Sequence, residues 1–78
     1  MRALHPTKIK VLKLLNENPL TIYRIAKILK IPRENLKWHI LSLEKSGLLL
    51  RVEENGKRLY KTNPKKVIIK GQVIYIKL

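Results

Sequence analysis

The chain has 78 residues, with 18 Lys and Arg against five acids, a net charge of +13 and no cysteine. That length supports one small core, and the missing cysteine excludes a disulfide framework, a thiolate metal site and a cysteine nucleophile. A charge this large repels itself in a compact state, so it points to a polyanionic partner; the competing reading, a Lys-rich surface, ordinarily carries matching acids, and here Asp is absent.

The first pattern runs over residues 6–16. Pro6 suits a first helical turn, where its missing N–H would have been unpaired, and Pro19 stops the helix. Ile9, Val11, Leu12, Leu14 and Leu15 cover more than one face at helical spacing. One face can join the domain core. The rest needs a cover, either the C-terminal segment or a second subunit.

Leu20-Thr21-Ile22 is short and could be a one-pair strand, with Thr21 then the N-cap of a second helix over residues 22–29. Ile22, Ile25, Ala26 and Leu29 form its apolar stripe, and Ala26 is small enough for another helix to cross closely. Arg24, Lys27 and Lys30 make a basic line on the outer face. Pro32 breaks the pattern and pushes Ile31 toward extended backbone. A third helix follows over residues 32–46 and ends at Gly47. Leu36, Ile40 and Leu43 point inward at about 100° per residue, while Glu34, Lys37, Trp38, Leu41, Ser42 and Lys45 point out.

Residues 48–53 and 57–62 read as paired strands. Asn55-Gly56 between them is the sequence of a tight hairpin turn with positive φ at both positions. Asn63-Pro64 ends this ribbon. The tail has β-branched runs at residues 67–69 and 73–76 around Gly71-Gln72, the pattern of a type II′ hairpin. Because its apolar residues alternate poorly, both faces are expected to want burial. Two helices around a tight turn, then a β-ribbon, define an α+β fold: a three-helix winged helix-turn-helix with a β-hairpin wing and an extra C-terminal β segment. Residues 1–64 would form the winged domain, and residues 65–78 a dimerisation element of the same domain.

The run IAKILKIPRENLKWHILSLEKSGLL, followed by a Lys-Arg-x-Tyr strand, resembles the winged helix of the ArsR and MarR-like bacterial and archaeal transcription regulators. The match rests on Ile25-Ala26, on His39-Ile40-x-x-Leu43-Glu44, on the Ser46-Gly47-Leu48 exit and on Tyr60, within residues 7–62. The resemblance implies a DNA-binding regulator. In that family the inter-helix turn usually carries Gly; Lys30 stands there in this chain, so a differently shaped turn is expected. Small Ser or Thr side chains often precede the His, where Lys37 and Trp38 stand here. The cysteine pairs of metal-sensing members are absent, so neither a cofactor nor metal-responsive repression is expected. The usual C-terminal dimerisation helix is replaced by β-like sequence.

The expected contacts follow from position. Arg33 and Asn35 open the third helix and can bond guanine and adenine edges or hold phosphate. Lys37 suits a phosphate, as do Arg24, Lys27 and Lys30, and Ser42 shares the outer face. Trp38 could stack on a base or sugar, or pack on protein. Lys57 and Arg58 follow the wing turn and would meet phosphates or the minor groove; Glu53 and Glu54 would pair with them across the ribbon or repel DNA. After Glu54 every charge is positive. His39 lies near the core edge, where a packed imidazole is the expected role, and with only His5 as companion no metal site is expected.

No catalytic constellation is visible, so an enzyme is not expected. No signal segment and no membrane-spanning run appear, which makes the cytoplasm the expected compartment. The reading is sequence-specific binding of double-stranded DNA by a small regulator acting as a homodimer. The same fold also serves as a module for RNA or for a protein partner.

Overall fold

The computed structural model describes residues 4–77; residues 1–3 and 78, at the outer bounds of the two expected segments, lie outside them. The element order is α1 (Pro6–Glu17), α2 (Ile22–Leu29), α3 (Arg33–Lys45), β1 (Leu49–Glu54), β2 (Lys57–Thr62), β3 (Val67–Lys70) and β4 (Val73–Ile76). Each boundary falls within one residue of its sequence signal, because most ends carry a local chemical reason.

Pro6 occupies the first turn of α1, and the N-cap is His5, whose Nδ1 accepts from the Thr7 N–H at 3.1 Å. The Thr21 hydroxyl caps α2 by accepting from the Arg24 N–H. The exit of α3 is a Schellman motif: Leu48 N–H bonds the Leu43 carbonyl and Gly47 N–H bonds that of Glu44, both at 2.9 Å, with Gly47 at φ +77°. Leu48 is consumed by this exit, which is why β1 begins one residue later than the apolar run suggested.

The turn between α2 and α3 is not reshaped by its lysine. Lys30 adopts the left-handed conformation itself, at φ 56° and ψ 44°, and the Ile31 N–H reaches back to the Ala26 carbonyl at 3.1 Å. The Lys30 N–H bonds the same carbonyl, so two donors close the helix end on Ala26, and this fixes the entry of α3.

β1 and β2 pair antiparallel across the Asn55-Gly56 turn, where both residues have positive φ (52° and 76°) as a type I′ turn requires. Leu20 adds a one-residue bridge to the ribbon: its N–H and carbonyl both bond Tyr60, at 3.1 and 2.8 Å. β3 and β4 form a second antiparallel hairpin turned at Gly71, φ +59°.

The core consists of Val11, Leu12, Leu15, Ile25, Leu36, Ile40, Leu43, Leu48, Leu49, Tyr60 and Val67. Leu12, Ile25 and Leu36 are wholly buried, so each of the three helices contributes an anchor. α1 packs on α3, α2 and β2, and the chain's own tail covers the same core from its side. Val67 is buried, and Ile69, Ile74 and Ile76 pack on the core together with Leu14. Lys13 Nζ reaches Gln72 Oε1 at 3.4 Å.

The tail alternates more regularly than its sequence suggested. Val67, Ile69, Ile74 and Ile76 face in; Ile68, Lys70, Val73 and Tyr75 face out. The register pairs Ile68 with Tyr75 and Lys70 with Val73, so each outward residue sits opposite another. Only one face is buried, contrary to the expectation of two. Asn63 joins this hairpin to the helices: its Nδ2 donates to the Gly47 carbonyl at 2.9 Å, and its carbonyl accepts from Lys66 and Val67. Among the described residues, no helix is long and apolar enough to cross a membrane.

Candidate nucleic-acid interface

Burial of Leu36, Ile40 and Leu43 turns the opposite side of α3 to solvent. Glu34, Trp38 and Lys45 form its outward ridge, all exposed, with Leu41 half-buried beside them. Trp38 is 67% exposed, a large apolar surface left in water. The two flanks of this ridge are held by different neighbours.

On one flank, at about 100° per residue, lie Arg33, Lys37 and Glu44. The Arg33 guanidinium carbon lies 4.5 Å from the ring centroid of Tyr23, on α2. Glu44 receives a two-pronged hydrogen bond from Arg51 of β1, Nε at 3.2 Å and Nη2 at 3.1 Å. That fork holds Arg51 firmly charged and braces the wing against α3. Arg51–Glu44 is the only ion pair among the described residues.

The other flank carries Asn35, His39 and Ser42 and faces α1. The His39 ring packs on His5 with centroids 4.5 Å apart, and Lys8 Nζ donates to the Ser42 hydroxyl at 2.9 Å. Burial lowers the His39 pKa below the ordinary 6.5, with further lowering from the nearby charges of His5 and Lys8. Ser42 is therefore half-buried and engaged by α1, apart from the exposed residues expected to share its face. Asn35 and Lys37 are both exposed.

The start of α2 and the wing tip enclose an open cleft lined by Thr21, Tyr23, Arg24, Lys57, Arg58 and Tyr60, among others. The Leu20–Tyr60 bridge explains the approach, since it ties the segment before α2 to the middle of β2. Arg24, Lys57 and Arg58, far apart in sequence, thus share one concavity. Lys27 and Lys30 continue the exposed basic line along α2 and its exit. The register sets Glu53 opposite Arg58 and Glu54 opposite Lys57 on the ribbon, without an ion pair closing between them. Two residues escaped sequence reasoning. Tyr23 received no role from the sequence, and His5 carried no signal as a helix cap.

Comparison with known proteins places this arrangement. Residues 5–50 match the family described as bacterial regulatory protein, arsR family. The HTH-type transcriptional regulator MJ0229 of Methanocaldococcus jannaschii, itself uncharacterized, is 32% identical over 74 residues, covering 90% of this chain and 78% of the relative. In fold, the chain is similar to wild-type ZitR of Lactococcus lactis in complex with DNA, with a TM-score of 0.74 at 24% identity, over 82% of this chain and 46% of that one. It is likewise similar to the transcriptional regulator BldR of Sulfolobus solfataricus, with a TM-score of 0.74 at 20% identity, over 80% of this chain and 47% of that one. The chain thus spans about half the length of the solved structures it matches. With three helices, a braced wing and a family match over the helices and the wing's first residues, the chain belongs to the arsR family of bacterial regulatory proteins.

Proposed function

We propose that the chain binds double-stranded DNA in a sequence-specific manner and acts as a small transcription regulator in the cytoplasm. The observation that carries this reading is the continuity of the exposed basic surface. Arg33 at the head of α3 touches Tyr23, and Tyr23 lines the same cleft as Arg24, Lys57 and Arg58. None of these cations is neutralised by an ion pair within the described residues. In this reading α3 enters the major groove, with Arg33, Asn35, Lys37 and Trp38 meeting bases and sugars. Arg24, Lys27, Lys30, Lys57 and Arg58 hold flanking phosphates, and the binding energy comes largely from released counterions. The DNA held by ZitR in its complex is consistent with this mode.

We also propose a homodimer. Its support is the outer face of the β3–β4 hairpin, where Ile68, Val73 and Tyr75 are each about half exposed. A two-fold pairing through this face would set two α3 helices for half-sites about 34–36 Å apart.

The test is a salt titration of duplex DNA, with duplex RNA beside it. For about 6–10 phosphate contacts, affinity should fall about 10³–10⁵-fold between about 50 and 200 mM salt. A flat response would exclude the phosphate mechanism, and preference for duplex RNA would redirect the reading to an RNA-binding module. For the dimer, sedimentation of the whole chain is compared with the Ile68→Ser, Tyr75→Ser double variant, which leaves the inner face of the hairpin intact. A wild-type monomer that still binds DNA would refute the pairing.

A further inference from the structure

Tyr23 is 66% exposed, and its ring carries the guanidinium of Arg33. Arg33 is the first residue of α3, and its N-cap, Pro32, provides no side-chain cap. No hydrogen bond or ion pair engages the Arg33 side chain among the described residues, so the Tyr23 ring is its defined partner. The 4.5 Å separation lets the guanidinium stack on the ring through its face. Stacked so, its N–H donors lie in its own plane and remain free at the edge, the geometry that bonds a guanine bidentately. An unrestrained arginine must instead be immobilised when it binds, which costs side-chain entropy.

We infer that Tyr23 is a positioning residue that presets Arg33 for base readout, a role that rests on the DNA-binding reading above. The backbone supports it. Lys30 in the left-handed conformation fixes how α3 leaves α2, so ring and guanidinium face each other across a turn of defined shape. Tyr23 thereby contributes to sequence choice through Arg33. A hydroxyl bonded to phosphate would instead strengthen binding to every sequence equally.

The experiment selects preferred sites from a library of duplexes with a randomised centre, using the wild type, Tyr23→Ala, Tyr23→Phe, Arg33→Ala and the Tyr23→Ala, Arg33→Ala double variant. An exposed cation–π contact corresponds to roughly a two- to fivefold effect. Tyr23→Ala should lose that much discrimination at the one base position that Arg33→Ala also relaxes. Tyr23→Phe should keep it, and the double variant should lose no more than Arg33→Ala alone. In parallel, NMR of the free protein should show Arg33 side-chain protons shifted upfield by the ring in the wild type and Tyr23→Phe, but not in Tyr23→Ala. This readout needs no DNA. A uniform loss across all sequences, equal losses in Tyr23→Phe and Tyr23→Ala, or an absent ring-current shift would overturn the positioning role. A wild type that binds no duplex while keeping the ring-current shift would overturn the DNA reading itself.

Discussion

Lys30→Gly separates the folding role of the inter-helix turn from its expected contact with DNA. Lys30 holds φ 56°, where an L-residue crowds its Cβ against the backbone. That crowding costs about 1–2 kcal/mol, and glycine is free of it. Glycine also has more backbone freedom to lose on folding, which offsets about 0.5–1 kcal/mol of the gain. The difference at the centre of these ranges is a net stabilisation of about 0.75 kcal/mol. For a domain of this size, about 1 kcal/mol moves the melting midpoint by about 4–8 °C, so a rise of about 3–6 °C is expected by circular dichroism. The same substitution removes an exposed cation beside α3, so the slope of log affinity for duplex DNA against log salt should shrink by about one. Lys30→Asn, which tolerates the left-handed region better than lysine, should show the same DNA loss with a smaller thermal gain. A lowered melting midpoint in Lys30→Gly would refute the strain argument. An unchanged salt slope would remove Lys30 from the phosphate contacts.

Three further outcomes are expected. Arg33→Ala or Asn35→Ala should change preference among DNA sequences by about 1–3 kcal/mol at one base position, whereas Lys57→Ala with Arg58→Ala should weaken all sequences alike; uniform effects from both sets in quantitative binding assays would deny α3 a role in base readout. Leu36 is wholly buried between the helices, so Leu36→Ala should lose about 2–5 kcal/mol in denaturant unfolding, and a loss below about 1 kcal/mol would mean that the core collapses around the cavity. The His39 pKa is lowered, so the folded state takes up its proton less readily than the unfolded chain. Stability is then complete above the ordinary value of 6.5 and declines as pH falls from there toward the folded value. The melting midpoint of the wild type should fall more between about pH 7.5 and pH 5.5 than that of His39→Gln, and parallel curves would contradict the sign.

The secondary structure was legible where single residues state the local backbone chemistry. Thr21 as a hydroxyl cap, Gly47 as a left-handed terminator and Asn55-Gly56 as a paired positive-φ turn each name their own position. One mark of the family resemblance, the Ser46-Gly47-Leu48 exit, was legible for the same reason, while Ile25-Ala26, His39-Ile40-x-x-Leu43-Glu44 and Tyr60 lie inside their elements. What could not be read depends on neighbours remote in sequence. The Lys30 turn kept its left-handed shape because closure to Ala26 outweighs the local crowding, a balance no single position reveals. Ser42 looked like an outward residue until Lys8 was placed beside it. Tyr23 acquires meaning only once Arg33 lies over it, and Arg24 meets Lys57 only because Leu20 bridges to Tyr60.

The cover that the β3–β4 hairpin supplies to the core also sets an order of events during synthesis. Lys13 and its partner Gln72 are 59 residues apart, so the helices leave the ribosome well before these strands. Until they arrive, the core lacks the apolar surface of Val67, Ile69, Ile74 and Ile76. Such long-range closure must meet its loop entropy before the packing rewards it. A ribosome stalled before β3 would therefore display a core without that cover to the cell's chaperones.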